Sequence, residues 1–369
     1  MRAGLRVSAH LIWTATLALL LAALLWPGPG LAKDKNGSAV ALIYHRFGED
    51  GFASTNIRRE QLALQVEILT KGGHRFPRPM ALARTLSRGR APKDGSILVT
   101  VDDAYRSALT VAWPVFKAKR IPMVLFVATD PVDAKSAGYL NWDEIRALRD
   151  DGVVIGHHGA SHGHLVEMGL EAALADIERA SKRFKAELGK VPKLFAYPYG
   201  EYNMALAAAL KKKGFTAAFA QYSGAIGANS PAFALPRFPI NERYGGADRF
   251  RLITGSLALP VSDMIPREVL LTASTNPPAF GFTVGKSVTG LQGLACYPSH
   301  LGRAASLELL GERRVEVRFD APFPPGRNRI NCTMPGPDGR WYWLGRLFMV
   351  PGRDSDDSPT DSGTGQDED

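Results

Sequence analysis

The sequence has few cysteines, and their positions exclude two kinds of site. Cys296 and Cys332 are the only two among 369 residues, and both lie in the C-terminal third. A lipid-anchored cysteine near the N-terminus is therefore excluded. A cysteine-based zinc site is excluded too, because His300 is the only histidine near either cysteine. In an oxidising compartment we expect the pair to form one disulfide, the alternative being two unrelated buried thiols.

Long apolar runs are also scarce. The one near the N-terminus spans residues 11–26, after Arg2 and Arg6 and before small residues that end at Ala32. A membrane-spanning helix needs about 20 apolar residues, so this run is short for one. The pattern predicts that residues 1–32 are a signal peptide. We therefore expect an exported protein, periplasmic or extracellular, with an uncleaved N-terminal anchor as the alternative.

The chain shows no internal repeat and no basic stripe interleaved with aromatic residues, so we expect no nucleic-acid partner. Its net charge is +9, although residues 351–369 hold seven acidic residues against one arginine. The body is thus more basic than the whole chain. For an exported protein this favours peripheral association with anionic components of the cell envelope. The composition of the tail predicts disorder.

Apolar runs alternate with amphipathic segments between residues 39 and 258. Helical patterns occur at 58–71, 110–119, 142–151, 170–188 and 204–213. Continuously apolar strands are predicted at 39–45, 96–101, 123–127, 153–156, 193–197, 217–220 and 234–238. This alternation indicates a mostly parallel sheet with helices outside it, and strands of this composition are buried on both faces.

The pattern changes near residue 260. Short strands separated by turns rich in proline and glycine are predicted at 269–273, 280–284, 306–310, 314–319, 329–333 and 341–344. Such a series is typical of a small β-sandwich. We therefore expect a second domain at residues 260–350, ahead of a disordered acidic tail at 351–369.

Two adjacent carboxylates, Asp102 and Asp103, end the strand predicted at 96–101. Neighbouring side chains on a strand point to opposite faces, so a buried Asp-Asp pair is costly unless its members are paired or bind a metal. An isolated pair of this kind would more often be a solvated turn. Other residues of the chain supply the partners that favour the first interpretation.

Half of the eight histidines follow the strand predicted at 153–156, namely His157, His158, His162 and His164. Two imidazoles and one carboxylate can hold a transition metal and leave positions open for water and substrate. The run from Gly159 to Gly163 also matches a serine nucleophile elbow centred on Ser161. That alternative is disfavoured, because the only histidine beyond this loop is His300.

A third polar segment, Tyr197-Pro198-Tyr199-Gly200, forms a turn signal at the end of the strand predicted at 193–197. Such a turn can aim a backbone N–H at a developing oxyanion, and its aromatic rings can form a wall for a sugar. Taken alone, it could equally be an ordinary turn. His45 ends the first predicted strand, where a single histidine is more often structural than catalytic.

The sequences Thr100-Val101-Asp102-Asp103, His158-x-x-x-His162 and Tyr197-Pro198-Tyr199-Gly200, in this order, resemble the polysaccharide deacetylases of carbohydrate esterase family four. The resemblance covers roughly residues 39–255 and takes in Leu140-Asn141-Trp142 and Leu235-Pro236-Arg237. It implies an α/β fold, a distorted (β/α) barrel of about seven strands at 39–258, followed here by the β-sandwich.

The resemblance also implies roles for individual residues. Asp103, His158 and His162 would bind a divalent metal, with zinc favoured and cobalt or nickel as alternatives. Asp102 would be the general base. The segment with Tyr197, Pro198 and Tyr199 would contact substrate and stabilise the oxyanion.

The sequence departs from the family pattern at several positions. Val101, Ala104 and Gly159 replace the usual phenylalanine, glycine and hydroxyl residue, and Ala196 stands where the family has an arginine that orients the base. The Leu-x-His motif with the acid histidine is missing after residue 200. A matching run ends instead at His45, as in permuted members resembling exopolysaccharide deacetylases, so we assign His45 as the general acid.

These observations predict a metal-dependent hydrolase that removes N-acetyl groups from an amino-sugar polysaccharide of the cell envelope or extracellular matrix. Two alternatives stay open. One is a carbohydrate-binding protein with impaired catalysis, which the alanine at position 196 favours. The other is a hydrolase of a non-sugar amide, which the predicted export and the predicted β-sandwich disfavour.

Overall fold

The computed structural model describes residues 37–352. The predicted signal peptide at 1–32 and residues 353–369 of the predicted acidic tail lie outside the described residues. Among residues 37–352 there is no helix with the length and apolar character that crossing a membrane requires.

The first part of the chain builds a curled sheet of seven parallel strands in the order β8-β7-β6-β5-β4-β1-β9. A separate two-stranded pair, β2 and β3, follows β1. The bounds are β1 Ala39–Tyr44, β2 Arg46–Phe47, β3 Asn56–Ile57, β4 Ser96–Val101, β5 Met123–Val127, β6 Val154–His157, β7 Leu194–Ala196, β8 Ala217–Phe219 and β9 Phe238–Pro239.

The chain between β8 and β9 covers the gap between the two edges of this sheet. Leu235 N–H donates to Ala218 O, and Arg237 N–H donates to Tyr222 O, before β9 pairs with β1. Only the end of the strand predicted at 234–238 is regular, as the two-residue strand β9, and the residues before it make single, irregular hydrogen bonds. Pro236 and Pro239 lack the N–H groups that a longer ladder needs. The predicted barrel-like α/β fold is confirmed.

Eight α-helices of the described residues pack outside the sheet. They are α1 Arg59–Lys71, α2 Pro79–Ser87, α3 Trp113–Ala118, α4 Thr129–Asp133, α5 Trp142–Asp150, α6 Leu170–Leu188, α7 Met204–Lys212 and α8 Ala247–Thr254. The helix predicted at 110–119 begins as a π-helix at Ala108–Ala112, where Trp113 N–H donates to Ala108 O. Pro114 has no N–H to continue a regular α-helical ladder, which accounts for the change of pitch.

The C-terminal part forms two antiparallel sheets, in the orders β10-β11-β14-β13 and β12-β15-β16. Their strands are β10 Val261–Ile265, β11 Phe280–Val284, β12 Ala295–Pro298, β13 Ser306–Leu310, β14 Arg314–Arg318, β15 Gly326–Pro335 and β16 Trp341–Val350. The apolar faces meet, as shown by Phe280 and Phe348, whose ring centroids are 5.7 Å apart. This arrangement fits the predicted β-sandwich.

Two sequence predictions in this part have different outcomes. Cys296 and Cys332 lie opposite each other on β12 and β15 and form a disulfide, which confirms the predicted pairing. The strand predicted at 269–273 is wrong, because only a single bridge joins Leu270 to Met349. A turn closed by Thr275 N–H and Thr272 O ends the extended segment at once.

The predicted domain boundary near residue 260 stays a prediction, since the barrel and the C-terminal sheets share a continuous contact. Leu257 N–H donates to Trp341 O at 2.8 Å, and Trp343 N–H donates back to Leu257 O at 2.8 Å. Trp343 also packs edge-on against Phe238, with ring centroids 4.9 Å apart. The β15–β16 hairpin thus lies directly against the segment that closes the barrel.

Candidate metal and catalytic site

The parallel strands bring the predicted site residues to one edge of the sheet. Tyr44 of β1 lies opposite Val101 of β4, so His45 and Asp102 leave the two strands side by side. Asp102 N–H donates to Tyr44 O at 2.9 Å, which extends the ladder by one residue. On the neighbouring strands, His158 N–H donates to Val127 O at 3.0 Å. Carboxyl ends of parallel strands are where catalytic groups gather in barrels of this kind.

The backbone turns sharply after Asp102. Asp103 has φ +72° and Ala104 has φ +62°, both in the left-handed region. This conformation favours glycine, because a Cβ is strained there. It gives a physical reason for the glycine that the family usually has at the position of Ala104. The turn aims the Asp103 side chain towards the histidines that follow β6.

Asp103, His158 and His162 form a three-residue cluster. Asp103 Oδ1 lies 3.3 Å from His158 Nε2 and 3.1 Å from His162 Nε2. The three candidate ligand atoms lie within 4.8 Å of one another, and within residues 37–352 this is the one group of its kind that could hold a metal ion. The structure therefore brings together the three residues predicted as metal ligands.

Hydrogen bonding supports the fit of a cation. His158 Nδ1 lies 2.7 Å from Ala196 O. A carbonyl only accepts, so Nδ1 carries the proton and the Nε2 lone pair faces Asp103. Asp103 Oδ1 is buried and has no hydrogen-bond partner. Two facing acceptors repel each other unless a cation or a proton lies between them, and such a pair is a suitable metal site.

The electrostatics agree with this interpretation. Burial acts to raise the pKa of Asp103, but His162 and His158 outweigh it and hold that pKa well below its usual value. Burial likewise acts to lower the pKa of His162, yet Asp103 and Asp102 raise it above the ordinary value. The site thus favours positive charge beside Asp103. A bound divalent ion would supply that charge in place of a proton on His162.

The loop between the two histidines is held by Asp176 of α6, which the sequence did not single out. Its Oδ1 accepts Ala160 N–H at 2.7 Å and its Oδ2 accepts Ser161 N–H at 3.1 Å. The preceding Gly159 has φ +76°, and a Cβ there would lie 3.0 Å from Asp176 Oδ1. This close approach explains a glycine where the family has a hydroxyl residue.

His157 lies outside the metal cluster despite its place beside His158. Its ring packs between Phe184 and Phe195, at centroid distances of 5.0 and 5.3 Å. Burial lowers the pKa of His157 to about 3, so the ring is neutral at pH 7. Its Nδ1 accepts Gly159 N–H at 3.1 Å. His157 therefore stabilises the loop between His158 and His162 from its buried side.

Asp102 is paired with Arg237 of the Leu235-Pro236-Arg237 run, a residue for which the sequence predicted no role. Arg237 donates to Oδ1 at 2.7 Å and to Oδ2 at 2.8 Å, and the guanidinium is fully buried. Arg237 also donates to Ala220 O and to Thr100 Oγ1. A bidentate ion pair of this kind fixes the plane of the Asp102 carboxylate. Arg237 thus supplies the guanidinium that Ala196 cannot.

His45 lies at this edge as predicted and is half-buried. Burial lowers its pKa, while Asp103 and Asp102 act in the opposite direction. Since β1 pairs with β4 and with β9, the first strand lies beside the last one in the sheet. A histidine on the first strand can therefore occupy the region that a last-strand histidine would occupy.

The third predicted segment divides into a buried and a partly exposed part. Tyr197 is fully buried, and its hydroxyl donates to Phe233 O at 2.9 Å. Pro198 is buried as well, so both shape the loop from within. Tyr199 is partly exposed and has φ +57°. Its ring lies edge-on to His162, with centroids 4.8 Å apart, and is the member of this segment that faces the metal cluster.

Comparisons with known proteins point to one family. The family model for polysaccharide deacetylases matches residues 89–218. The poly-beta-1,6-N-acetyl-D-glucosamine N-deacetylase of Staphylococcus aureus (strain MSSA476) is 22% identical over 240 residues, covering 58% of this chain and 82% of that protein. The match over residues 89–218 bears out the resemblance to polysaccharide deacetylases that the motifs predicted. His45 and Arg237 lie outside the matched range.

Two solved structures share the fold. The Streptococcus pyogenes deacetylase PplD, solved in complex with acetate, has a TM-score of 0.55 at 18% identity and covers 59% of this chain and 99% of its own. IcaB from Ammonifex degensii has a TM-score of 0.50 at 24% identity and covers 60% of this chain and 98% of its own. The likeness spans most of each relative but little more than half of this chain.

We expect Arg237→Met to lower the free energy of unfolding by about 3–5 kcal/mol, because it leaves Asp102 buried without its partner. Urea unfolding monitored by circular dichroism measures this. The double variant Asp102→Asn/Arg237→Met removes both charges and should recover part of that loss. Equal stabilities of Arg237→Met and the unmodified protein would contradict the pairing.

Asp103→Ala, His158→Ala and His162→Ala should each bind less zinc than the unmodified protein, because each removes one of the three residues predicted as metal ligands. Zinc content after dialysis, measured by mass spectrometry of the metal, is the readout. His300→Ala is the matched control, since His300 packs against Phe323 in the C-terminal sheets. Full zinc retention in all three cluster variants would show that the ion binds elsewhere.

Proposed function

We propose that this protein is a metal-dependent hydrolase that removes N-acetyl groups from an amino-sugar polysaccharide of the cell envelope or extracellular matrix. The observation that carries the proposal is the Asp103–His158–His162 cluster beside the Asp102–Arg237 pair, at the carboxyl edge of a polysaccharide deacetylase domain. The similarity to an enzyme named for deacetylation of poly-β-1,6-N-acetylglucosamine supports this class of substrate.

Asp103, His158 and His162 would hold the metal, and the donor set of one carboxylate and two imidazoles favours zinc, with cobalt or nickel as alternatives. When bound, the ion supplies Lewis acidity for the acetamide carbonyl. His158 can keep its Nε2 directed at the ion because Ala196 O fixes the proton on Nδ1.

Asp102 acts as the general base on the attacking water. The two hydrogen bonds from Arg237 orient its carboxylate, and a carboxylate has enough lone pairs to accept a proton while it keeps them. Water adds to the acetamide carbon as its proton passes to Asp102. The C–N bond then breaks, and the products are acetate and a free amine.

His45 gives a proton to the departing amine. Its position beside Asp102 at the end of β1 places it at the same edge as the metal cluster. Because burial lowers its pKa, a protonated His45 is a stronger acid than a free imidazolium, which favours transfer to the amine. A backbone N–H of the segment around Tyr199 stabilises the oxyanion that forms before the C–N bond breaks.

We also propose that the protein acts outside the cytoplasm. The basic and apolar segment at residues 1–32 supports export, and the disulfide between Cys296 and Cys332 suits an oxidising compartment. The net charge of +9 favours peripheral contact with anionic envelope components.

The zinc-loaded protein should release acetate from poly-β-1,6-N-acetylglucosamine or from chitin oligomers, and Asp102→Asn should abolish the release. An enzyme-coupled acetate assay measures it. Bound zinc with no acetate from any N-acetylated polysaccharide, but with measurable glycan binding, would favour a carbohydrate-binding protein. Acetate or amine release from non-sugar amides alone would favour a different hydrolase.

His45→Ala should keep its metal content but lower kcat about 100- to 10,000-fold, the range expected on removal of a general acid. His74→Ala is a suitable control, since His74 follows the C-terminal end of α1 and is distant in sequence from every predicted site residue. Unchanged turnover in His45→Ala would show that another group protonates the amine.

A further inference from the structure

An arginine of the C-terminal sheets contacts the catalytic edge of the barrel. Arg327 of β15 donates from a terminal guanidinium nitrogen to Tyr199 O at 3.1 Å. Its Nε lies 3.9 Å from Glu201 Oε1, and the side chain is about nine-tenths buried. Arg327 therefore reaches the third predicted site segment from outside the barrel.

Glu201 connects Arg327 to the loop that carries His162 and His164. Its side chain is buried, and its Oε2 lies 2.9 Å from His164 Nδ1. The His164 ring lies parallel to the ring of Tyr199, with centroids 3.9 Å apart and planes inclined by 3°. Tyr199 is thus held on its ring by His164 and at its carbonyl by Arg327. His164 follows the metal ligand His162 by two residues.

The backbone of Tyr199 needs such support. Its φ of +57° is a strained conformation for a residue with a side chain. Strain of this kind costs on the order of 1–3 kcal/mol and persists only where the surroundings enforce it. Gly200, the next residue, donates its N–H to Tyr197 O. A Cβ on Gly200 would lie 2.2 Å from Gln221 Cβ, so the backbone is closely packed at this point as well.

The position of β15 is itself fixed by close packing of its partner strand against the barrel. A Cβ at Gly345 of β16 would lie 1.8 Å from Ser223 O. Ala225 N–H also donates to Trp343 O at 3.2 Å. The hairpin thus approaches the barrel as closely as the backbone allows. This fixes the point from which Arg327 extends.

We propose that Arg327 is a positioning residue of the deacetylase site, which holds the Tyr199 segment in its left-handed conformation. The inference rests on the proposed function and gives the C-terminal sheets a part in it. Among the described residues, Arg327 reaches the site through Tyr199 and Glu201. It acts through Tyr199 and Glu201, and so sets where the oxyanion-stabilising segment lies relative to the metal cluster.

Arg340→Ala is the matched control. Arg340 also extends from the C-terminal part to the barrel, where its Nε donates to Gly255 O at 2.7 Å and a terminal nitrogen pairs with Asp94 at 2.6 Å. Asp94 precedes β4, so this contact lies at the opposite end of that strand from Asp102. Both variants remove an arginine that joins a backbone carbonyl and a carboxylate, but only one does so at the catalytic edge.

The test compares Arg327→Ala, Arg327→Lys and Arg340→Ala in the zinc-loaded full chain. We expect Arg327→Ala to lower kcat about 10- to 100-fold with little change in KM or zinc content, because misplacement of catalytic groups affects turnover. Arg327→Lys should recover part of the loss, since an ammonium can still donate to Tyr199 O. Arg340→Ala should keep kcat within about twofold, as expected for a contact away from the reacting groups.

Hydrogen exchange of the segment 197–203, measured by mass spectrometry, gives a readout that does not depend on activity. Exchange should be faster in Arg327→Ala than in the unmodified protein and unchanged in Arg340→Ala. Unchanged exchange in Arg327→Ala would overturn the proposal, whether or not the protein releases acetate. Equal losses of kcat and of unfolding temperature in Arg327→Ala and Arg340→Ala would also overturn it, since the contact would then serve general stability.

Discussion

A fully buried ion pair between Arg237 and Asp102 is the contact on which the catalytic edge depends. Removing two charges from water costs several kcal/mol for each ion, and good geometry with further hydrogen bonds must offset that cost. Here Arg237 also donates to Ala220 O and Thr100 Oγ1, so its polar atoms are largely matched. The pair joins the segment that closes the barrel to the strand that carries both aspartates.

This dependence links closure of the sheet to the chemistry of the site. Arg237 lies one residue before β9, which pairs with β1, and His45 follows β1 directly. The base, the predicted acid and the closing segment therefore lie together at one edge of the folded sheet, and the β15–β16 hairpin packs against that segment from outside.

Backbone strain is concentrated at the same edge. Asp103, Ala104, His162 and Tyr199 all have positive φ values, which are uncommon for residues other than glycine. These four residues are half of the described non-glycine residues with positive φ. Three of them are predicted site residues, and the fourth, Ala104, follows Asp103. The strands below them are buried on both faces and provide the rigidity that such conformations require.

The sequence allowed the buried strands and the metal ligands to be predicted, because both have local signals. Continuous apolar runs locate β4 and β5 to the residue, and the strands predicted between turns at 280–284 and 306–310 match β11 and β13. The His-x-x-x-His spacing identifies His158 and His162. Helix α2 lacks a side-chain cap and was not predicted. Arg237, Asp176 and Arg327 were not assigned roles, because each acts across a tertiary contact that no local pattern encodes. Arg237 and Asp102, for example, are 135 residues apart.

The origin of the guanidinium beside Asp102 has a consequence for how such chains are classified. Ala196 of β7 pairs with Phe219 of β8, and the Phe219 ring lies 5.9 Å from the Arg237 guanidinium carbon. The segment that closes the barrel thus provides a guanidinium for Asp102, although position 196 holds an alanine. A comparison of motifs position by position would miss this arginine, whereas a comparison of charged groups in three dimensions would find it.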